Sequence, residues 1–154
     1  MRRHDREITD RTAMLEVIRQ CDVCRIALND DGYPYILPLN FGWEEKDGTL
    51  LLYFHGANEG TKYDLMAKDN RASFEMDCKH RLEGDLAKGM CTMHYESVIG
   101  CGRMTEITDE AAKIHALEVL CRQYYKDGFP FDKGALPMTR VLQLTVEKMT
   151  GKRR

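Results

Sequence analysis

The sequence lacks any long hydrophobic run and any excess of one charge. No continuous apolar stretch is long enough to span a bilayer, and the first residues, 1–7, are charged rather than apolar. Lys and Arg number 23 against 25 Asp and Glu, for a net charge of -2, so the overall charge provides no attraction for nucleic acid or an anionic membrane. We therefore expect a cytoplasmic protein without nucleic-acid or membrane partners.

The chain also lacks internal repeats, low-complexity tracts and linkers. Its 154 residues are enough for one hydrophobic core, and 43% hydrophobic with 31% charged residues is ordinary globular composition. The sequence therefore predicts a single domain over residues 1–154. The 6 cysteines lie in a chain without an export signal, so free thiols are expected rather than a disulfide framework.

Short apolar runs predict mainly β structure. The predicted strands are Val23–Leu28, Tyr35–Phe41, Thr49–Phe54, Ala72–Asp77, Met90–Ile107 and Val141–Val146. Polar turns at 29–32 and 45–48 and a polar stretch at 79–89 separate them. Gly100 and Gly102 indicate a bend or break in the fifth strand, because interior glycines often mark bulges.

Three helices are predicted between these strands. The first covers about residues 9–21 and is capped by Thr9, the second runs from about Gly60 to Lys68, and the third begins at 108–110. An apolar stripe is expected to be buried on the third helix: Ile114, Leu117, Leu120, Cys121 and Tyr124.

Turn-linked strands that are only occasionally interrupted by helices favour one architecture over another. They are typical of a mostly antiparallel sheet closed into a small barrel, whereas a doubly wound parallel sheet needs a helix after nearly every strand. The chain ends in a basic tail at 148–154. The predicted fold class is a single-domain β-barrel with helices.

Phosphate-binding chemistry is concentrated at one strand-to-helix junction, residues 55–62, with the sequence His-Gly-Ala-Asn-Glu-Gly-Thr-Lys. Gly56 and Gly60 let the backbone approach a ligand, the helix amino terminus offers N–H donors, and His55 and Lys62 add side-chain donors. The spacing is not that of a P-loop, because the glycines are too close together and the threonine precedes the lysine. A phosphorylated small molecule fits better than a nucleoside triphosphate. An ordinary glycine turn with a solvated lysine is the alternative.

Two pairs of residues have zinc-ligand spacing. They are Cys21 with Cys24, and Cys91 with His94. The second pair lies in a predicted strand, where residues three apart point to opposite faces and do not converge on one ion. We therefore predict no metal site. A thioredoxin-like role is also disfavoured, since Cys21 and Cys24 follow the carboxyl end of a helix.

Aromatic residues near the carboxyl end of the third helix have two interpretations. Tyr124, Tyr125 and the loop Phe129-Pro130-Phe131 border a substrate pocket or belong to the core, and we favour the core because aromatic residues on a helix stripe usually pack inside. His115, beside the stripe, is expected at the surface.

Three segments together carry a family resemblance: 32–41 (GYPYILPLNF), 53–62 (YFHGANEGTK) and 95–102 (YESVIGCG). Their order and spacing resemble the pyridoxamine 5'-phosphate oxidase-like flavoproteins, closest to the branch containing the nitroimidazole-resistance proteins. The resemblance runs from about Val17 to the last strand. It implies an FMN-binding split barrel and a homodimer with two flavin sites at the subunit interface.

The resemblance also implies a set of cofactor-binding residues. They are Pro38, Leu39, Asn40 and Phe41 along the isoalloxazine, Phe54, His55 and Gly56 at a strand end, Thr61 and Lys62 at the phosphate, and Ser97 and Val98 approaching the cofactor. The threonine of the phosphate pair stands where arginine is frequent in the family, which implies a weaker contact. Pro38 is also explained by an edge strand, where prolines are tolerated.

The implied function is that of an FMN-dependent oxidoreductase, a nitroaromatic or nitroimidazole reductase supplied by reduced nicotinamide or another donor. The flavin would carry the chemistry, so no catalytic acid or base is named. His55 would contact flavin or substrate. Vitamin B6 oxidation is not expected, because the arginine and histidine pattern at the carboxyl end of the true oxidases is missing. The alternative is a non-catalytic flavin or haem carrier or sensor on the same barrel.

Overall fold

A single antiparallel sheet dominates the computed structural model, which describes residues 3–154. The strands are β1 (Glu7–Ile8), β2 (Cys24–Leu28), β3 (Tyr35–Leu39), β4 (Gly42–Lys46), β5 (Thr49–Gly56), β6 (Arg71–Asp85), β7 (Met90–Ile107) and β8 (Arg140–Arg153). The helices are α1 (Arg11–Gln20), α2 (Thr61–Lys68) and α3 (Glu110–Tyr124), with short 3-10 helices at His4–Arg6 and Lys133–Met138. The strand order is β3-β2-β6-β7-β8-β5-β4, with β1 paired to β8.

The sheet closes on itself at one corner. Its two outermost strands, β3 and β4, are consecutive in the chain and are joined by Asn40 and Phe41 alone. Phe41 is fully buried. Its N–H donates to the Tyr124 hydroxyl at 3.0 Å, and that hydroxyl donates to the Asp22 carbonyl at 2.8 Å. These bonds fix the corner, and the mainly antiparallel barrel predicted from the sequence is confirmed.

The hydrophobic core has two parts, which lie on opposite faces of β5. Leu50, Leu52 and Phe54 point into the barrel, where they belong to the large core cluster. Leu51 and Tyr53 point outward and are covered by α3. Because both faces of β5 are dry, its sequence is an uninterrupted apolar run rather than an alternating one.

The helices follow the prediction with two corrections. Thr9 is not the cap of α1; the carboxylate of Asp10 accepts the N–H of Ala13 at 2.8 Å, one position later. The buried stripe of α3 is also rotated from the predicted one, since Ala116, Val119 and Leu120 are its buried residues. The other four predicted members, Ile114, Leu117, Cys121 and Tyr124, are only half-buried.

Three strand boundaries differ from the prediction. The strand predicted over 35–41 ends at Leu39, because the corner intervenes, and β4 was missed. The polar stretch 79–89 is not a loop, since β6 continues to Asp85 and pairs with β7. The basic tail is not separate, because β8 runs to Arg153 beside β7. Strand segments with solvent on both faces have no alternation of apolar and polar residues, so a sequence pattern does not identify them as strands.

The irregularity predicted near the paired glycines of β7 is present. The register between β7 and β8 shifts between Cys101 and Gly102. A Cβ on Gly102 would overlap the carbonyl oxygen of Thr145 on the neighbouring strand. Glycine is therefore required where the two backbones approach at the bulge.

Candidate functional site

The junction between β5 and α2 leaves its helix amino terminus without a side-chain acceptor. α1 and α3 are capped by Asp10 and Asp109, whose carboxylates accept backbone N–H groups. The residue before α2 is Gly60, which has φ 146° and no side chain to cap the helix. Only the N–H of Tyr63 is satisfied locally, by the Gly60 carbonyl at 3.0 Å. The first N–H groups of α2 are therefore oriented toward an incoming anion.

Tyr63 holds the loop before this helix in place. Its hydroxyl donates to the carbonyl of Ala57 at 2.6 Å, and its ring is buried. The Lys62 ammonium lies 4.3 Å from the centre of that ring. A Cβ on Gly56 would lie 2.8 Å from the Tyr63 hydroxyl and 2.9 Å from the Lys62 nitrogen, so glycine is needed for the two side chains to occupy these positions.

Arg140 completes the site, and sequence reasoning missed it. It is the first residue of β8 and pairs with Gly56 at the end of β5. Its guanidinium lies 3.6 Å from the centre of the Tyr63 ring and donates to Glu106, with Nε 3.0 Å from Oε1. A further bond to the Asn58 carbonyl, at 3.4 Å, ties it to the loop. No local motif marks this arginine, because strand register alone brings it to the junction.

Lys62 and Arg140 bring two positive charges to the junction, where Glu106 and Asp64 supply negative ones. Burial lowers the pKa of Lys62, and the charge of Arg140 lowers it further. Burial and then Lys62 lower the pKa of His55. The hydrogen bond from Arg140 holds the pKa of Glu106 below its usual range, so this carboxylate stays ionised beside the cations. Lys62 and Arg140 repel each other, and a bound anion would relieve that repulsion.

The other proposed cofactor residues divide by exposure. Pro38 and Asn40 are exposed, on the edge strand β3 and at the corner, and Pro38 pairs with Arg25. Leu39 is half-buried and packs against the core. The side chains of Phe41, Phe54 and Val98 are fully buried in the core. These three would meet a cofactor through their main chains alone.

Ser97 and Val98 lie far from the junction within one chain. Val141 pairs with His55 on one side and with Ile107 on the other. From Ile107 back to position 97 the chain follows β7 for roughly 33 Å, at about 3.3 Å per residue. The structure therefore separates the proposed phosphate residues from Ser97.

A cleft opens on the other side of His55. It has a cavity volume of about 200 Å³, is open to solvent, and lies between the end of β5, α3 and the segment that leads to β8. Its lining residues are His55, Leu117, Leu120, Cys121, Phe129, Phe131, Asp132, Ala135, Leu136 and Thr139.

The core interpretation of the nearby aromatic residues was wrong for two of them. Tyr125 and Phe129 are 53% and 49% exposed and stack on each other with ring centres 4.7 Å apart. Phe131 is half-buried in the cleft wall, and Tyr124 supports the barrel corner. His115 is at the surface as expected, with Nε2 3.0 Å from the Glu44 carboxylate.

The cysteines and helices suggest no further site. Cys21, Cys24 and Cys78 are buried and Cys91 is exposed, all as free thiols. Within residues 3–154, no group of three or more His, Cys, Asp or Glu residues is arranged to hold a metal ion. Across the same residues, no helix combines the length and the apolar character needed to cross a membrane.

The family model for pyridoxamine 5'-phosphate oxidase matches residues 10–153. With this match over nearly its whole length, the chain belongs to the pyridoxamine 5'-phosphate oxidase family. A search of curated protein sequences found no match.

Solved structures add relatives of this fold. A candidate 5-nitroimidazole antibiotic resistance protein from Bacteroides thetaiotaomicron is 31% identical, with a TM-score of 0.83, over 96% of this chain and 86% of that one. A flavocytochrome from Azotobacter vinelandii is 20% identical, with a TM-score of 0.79, over 100% and 72%. An FAD- and haem-binding protein from Mycobacterium smegmatis is 19% identical, with a TM-score of 0.78, over 96% and 73%.

Proposed function

We propose that the protein binds FMN through the junction between β5 and α2 and acts as a flavin-dependent reductase of nitroaromatic compounds. The observation that carries the proposal is the arrangement of Lys62, Arg140 and the uncapped amino terminus of α2 around Gly56. Family membership and the similarity to the candidate nitroimidazole-resistance protein support it.

The donor set fits a phosphate group. The first N–H groups of α2 and the Thr61 hydroxyl would donate to its oxygens, and Lys62 would balance its charge. Arg140 forms an ion pair with Glu106 and stacks on Tyr63. Its N–H groups are therefore not all free to bind the phosphate, and it contributes mainly by shaping the pocket and by its positive charge. Phosphate is common to FMN and FAD, and the mass of the released cofactor distinguishes them.

When bound, the flavin would supply electron transfer to the acceptor. The chain's own residues would bind and orient it. Since its pKa is lowered, His55 is a neutral imidazole near pH 7, able to donate one hydrogen bond and to accept another. Reduced nicotinamide is the proposed electron donor.

We also propose that the protein is a homodimer with its flavin sites at the subunit interface. Within one chain Ser97 lies far from the junction, so a second copy would have to supply this segment to a complete site. The outward face of the sheet offers a surface for the second copy, since Ile36 and Ile99 are 64% and 55% exposed there.

The second candidate function is a non-catalytic flavin or haem carrier or sensor. This candidate is favoured by the similarity of the fold to the Azotobacter flavocytochrome and to the Mycobacterium protein that binds FAD and haem. The two functions differ in turnover and in spectrum.

The test is the absorbance spectrum of the purified protein, followed by assays with reduced nicotinamide. Flavin bands, released FMN and nicotinamide oxidation only when a nitroaromatic compound is added are the expected results. A Soret band, or flavin without turnover of any nitro compound, would favour the carrier. A colourless protein that takes up no added flavin would contradict both.

A further inference from the structure

We propose that the cleft beside His55 is a binding site for a neutral, planar aromatic compound. This inference deepens the proposed function, on which the compound's role as the electron acceptor rests. The binding itself depends only on the cleft. Its cavity volume of about 200 Å³, below the roughly 300–1,000 Å³ of sites for drug-sized ligands, suits a small compound with a single ring.

The walls of the cleft are mostly apolar. Leu117 and Leu120 of α3 line it together with Phe129 and Phe131. Flat apolar walls favour a flat apolar ligand, because burying its ring removes apolar surface from water and permits stacking.

Phe129, a lining residue whose ring is about half exposed, is held in place by the fold. The N–H of Gly128 donates to the carbonyl of Tyr125 at 3.0 Å, and Gly128 has φ 78°, which closes a turn. The turn stacks Phe129 on Tyr125, although both rings remain about half exposed. Exposing a large aromatic surface to water is unfavourable, and a ligand in the cleft would cover part of the Phe129 ring.

His55 lies where the cleft meets the phosphate junction. His55 lines the cleft, and the charge of Lys62, which does not line it, lowers the pKa of the imidazole. The imidazole makes no hydrogen bond to any other residue in the range 3–154. It is thus available to a polar substituent of a bound compound, such as a nitro or amide oxygen.

Charge selects against anions in the cleft. Among the described residues that line it, Asp132 is the only one with a carboxylate, which accepts the N–H of Gly134 at 2.8 Å. Within residues 3–154 no lysine or arginine lines the cleft, and the ammonium of Lys113 donates instead to the carbonyl of the lining residue Thr139 at 3.5 Å. A neutral compound therefore binds better than its anionic analogue.

The test uses 4-nitrobenzamide and 4-nitrobenzoate, which have the same shape and differ by one charge. Their binding to the purified full chain is measured by titration calorimetry at pH 7, and flavin content is recorded in parallel. The cleft is filled by Ala135→Trp, a change at an exposed lining residue. Ala87→Trp, at the exposed turn between β6 and β7, is the matched control. Phe129→Ala removes one wall in case Ala135→Trp fails to fold.

The neutral compound should bind at least tenfold more tightly than the anion. Ala135→Trp and Phe129→Ala should each weaken its binding about tenfold or more, while Ala87→Trp leaves it unchanged. Flavin content should be the same in Ala135→Trp, Phe129→Ala and the unsubstituted protein, so the cleft is tested separately from the flavin phosphate site. Equal binding of the two compounds, absence of binding to the unsubstituted chain, or unchanged binding to Ala135→Trp would overturn the proposal.

Discussion

The Arg140 guanidinium lies 3.6 Å above the centre of the Tyr63 ring, which joins the start of β8 to the first turn of α2. The stacking places a cation beside Lys62 without a direct hydrogen bond between them. The pKa of Lys62 is lowered by burial and by this neighbour. The repulsion between these two cations destabilises the free site, and a bound phosphate would relieve it.

Arg140→Gln should weaken the binding of FMN. The substitution removes one positive charge and the stacking on Tyr63, and it leaves Glu106 without its ion-pair partner near the ligand. We expect an increase in Kd of about tenfold, which corresponds to about 1.4 kcal/mol. Fluorescence titration with FMN measures it.

The matched control for this change is Arg103→Gln. Arg103 also forms an ion pair on the barrel, with Nε 3.0 Å from the Glu147 carboxylate, but it lies outside the junction. Equal losses of FMN affinity in the two variants would show that Arg140 has no specific role.

His55 should titrate below its ordinary pKa of 6.5 in the flavin-free protein. As the pH falls through 6.5, the unfolded state takes up a proton on His55 before the folded state does. The free energy of unfolding therefore decreases, and the decrease is complete once the pH is below the pKa of His55 in the folded protein. Lys62→Ala should raise the pKa of His55 by removing the neighbouring charge, and inorganic phosphate should raise it as well. NMR titration of the imidazole C–H signals measures the pKa of His55 in the free protein, in Lys62→Ala and with phosphate. A pKa at or above 6.5 in the free protein would contradict the expected effect of burial and of Lys62.

Gly42→Ala should destabilise the barrel and move α3. A Cβ at this position would overlap the backbone of Leu120, where α3 crosses the start of β4. We expect a loss of about 1–3 kcal/mol in the free energy of unfolding, the usual cost of overpacking. Urea denaturation measures it, with Gly84→Ala as the control because the nearest atom to its Cβ would be 3.9 Å away. Equal stability of the two variants would show that the helix is not held at this contact.

Local patterns predicted the parts of the fold that depend on local physics. The junction at residues 55–62 was identified because glycines, a helix start and a lysine are neighbours in sequence. The helix from Thr61 and the long strand β7 were predicted for the same reason.

What the sequence did not reveal depends on register and on solvent exposure. Arg140 reaches the junction only because β8 pairs with β5, and no nearby residue signals it. The polar ends of β6 and β8 carry no apolar alternation, so they were predicted as a loop and a tail. The exposure of Tyr125 and Phe129 follows from the turn at Gly128, which helix periodicity does not describe.

The most direct test of the central claim is FMN retention in Lys62→Ala compared with Lys68→Ala. Both lysines belong to α2, but Lys62 is in its first turn at the junction, and Lys68 is exposed at its other end. The proteins are purified in parallel, and the flavin per chain and the Kd for added FMN are measured. Lys62→Ala is expected to lose its flavin and to bind FMN at least tenfold more weakly, while Lys68→Ala should behave as the unsubstituted protein. Equal retention in the two variants would show that the junction does not bind the flavin phosphate.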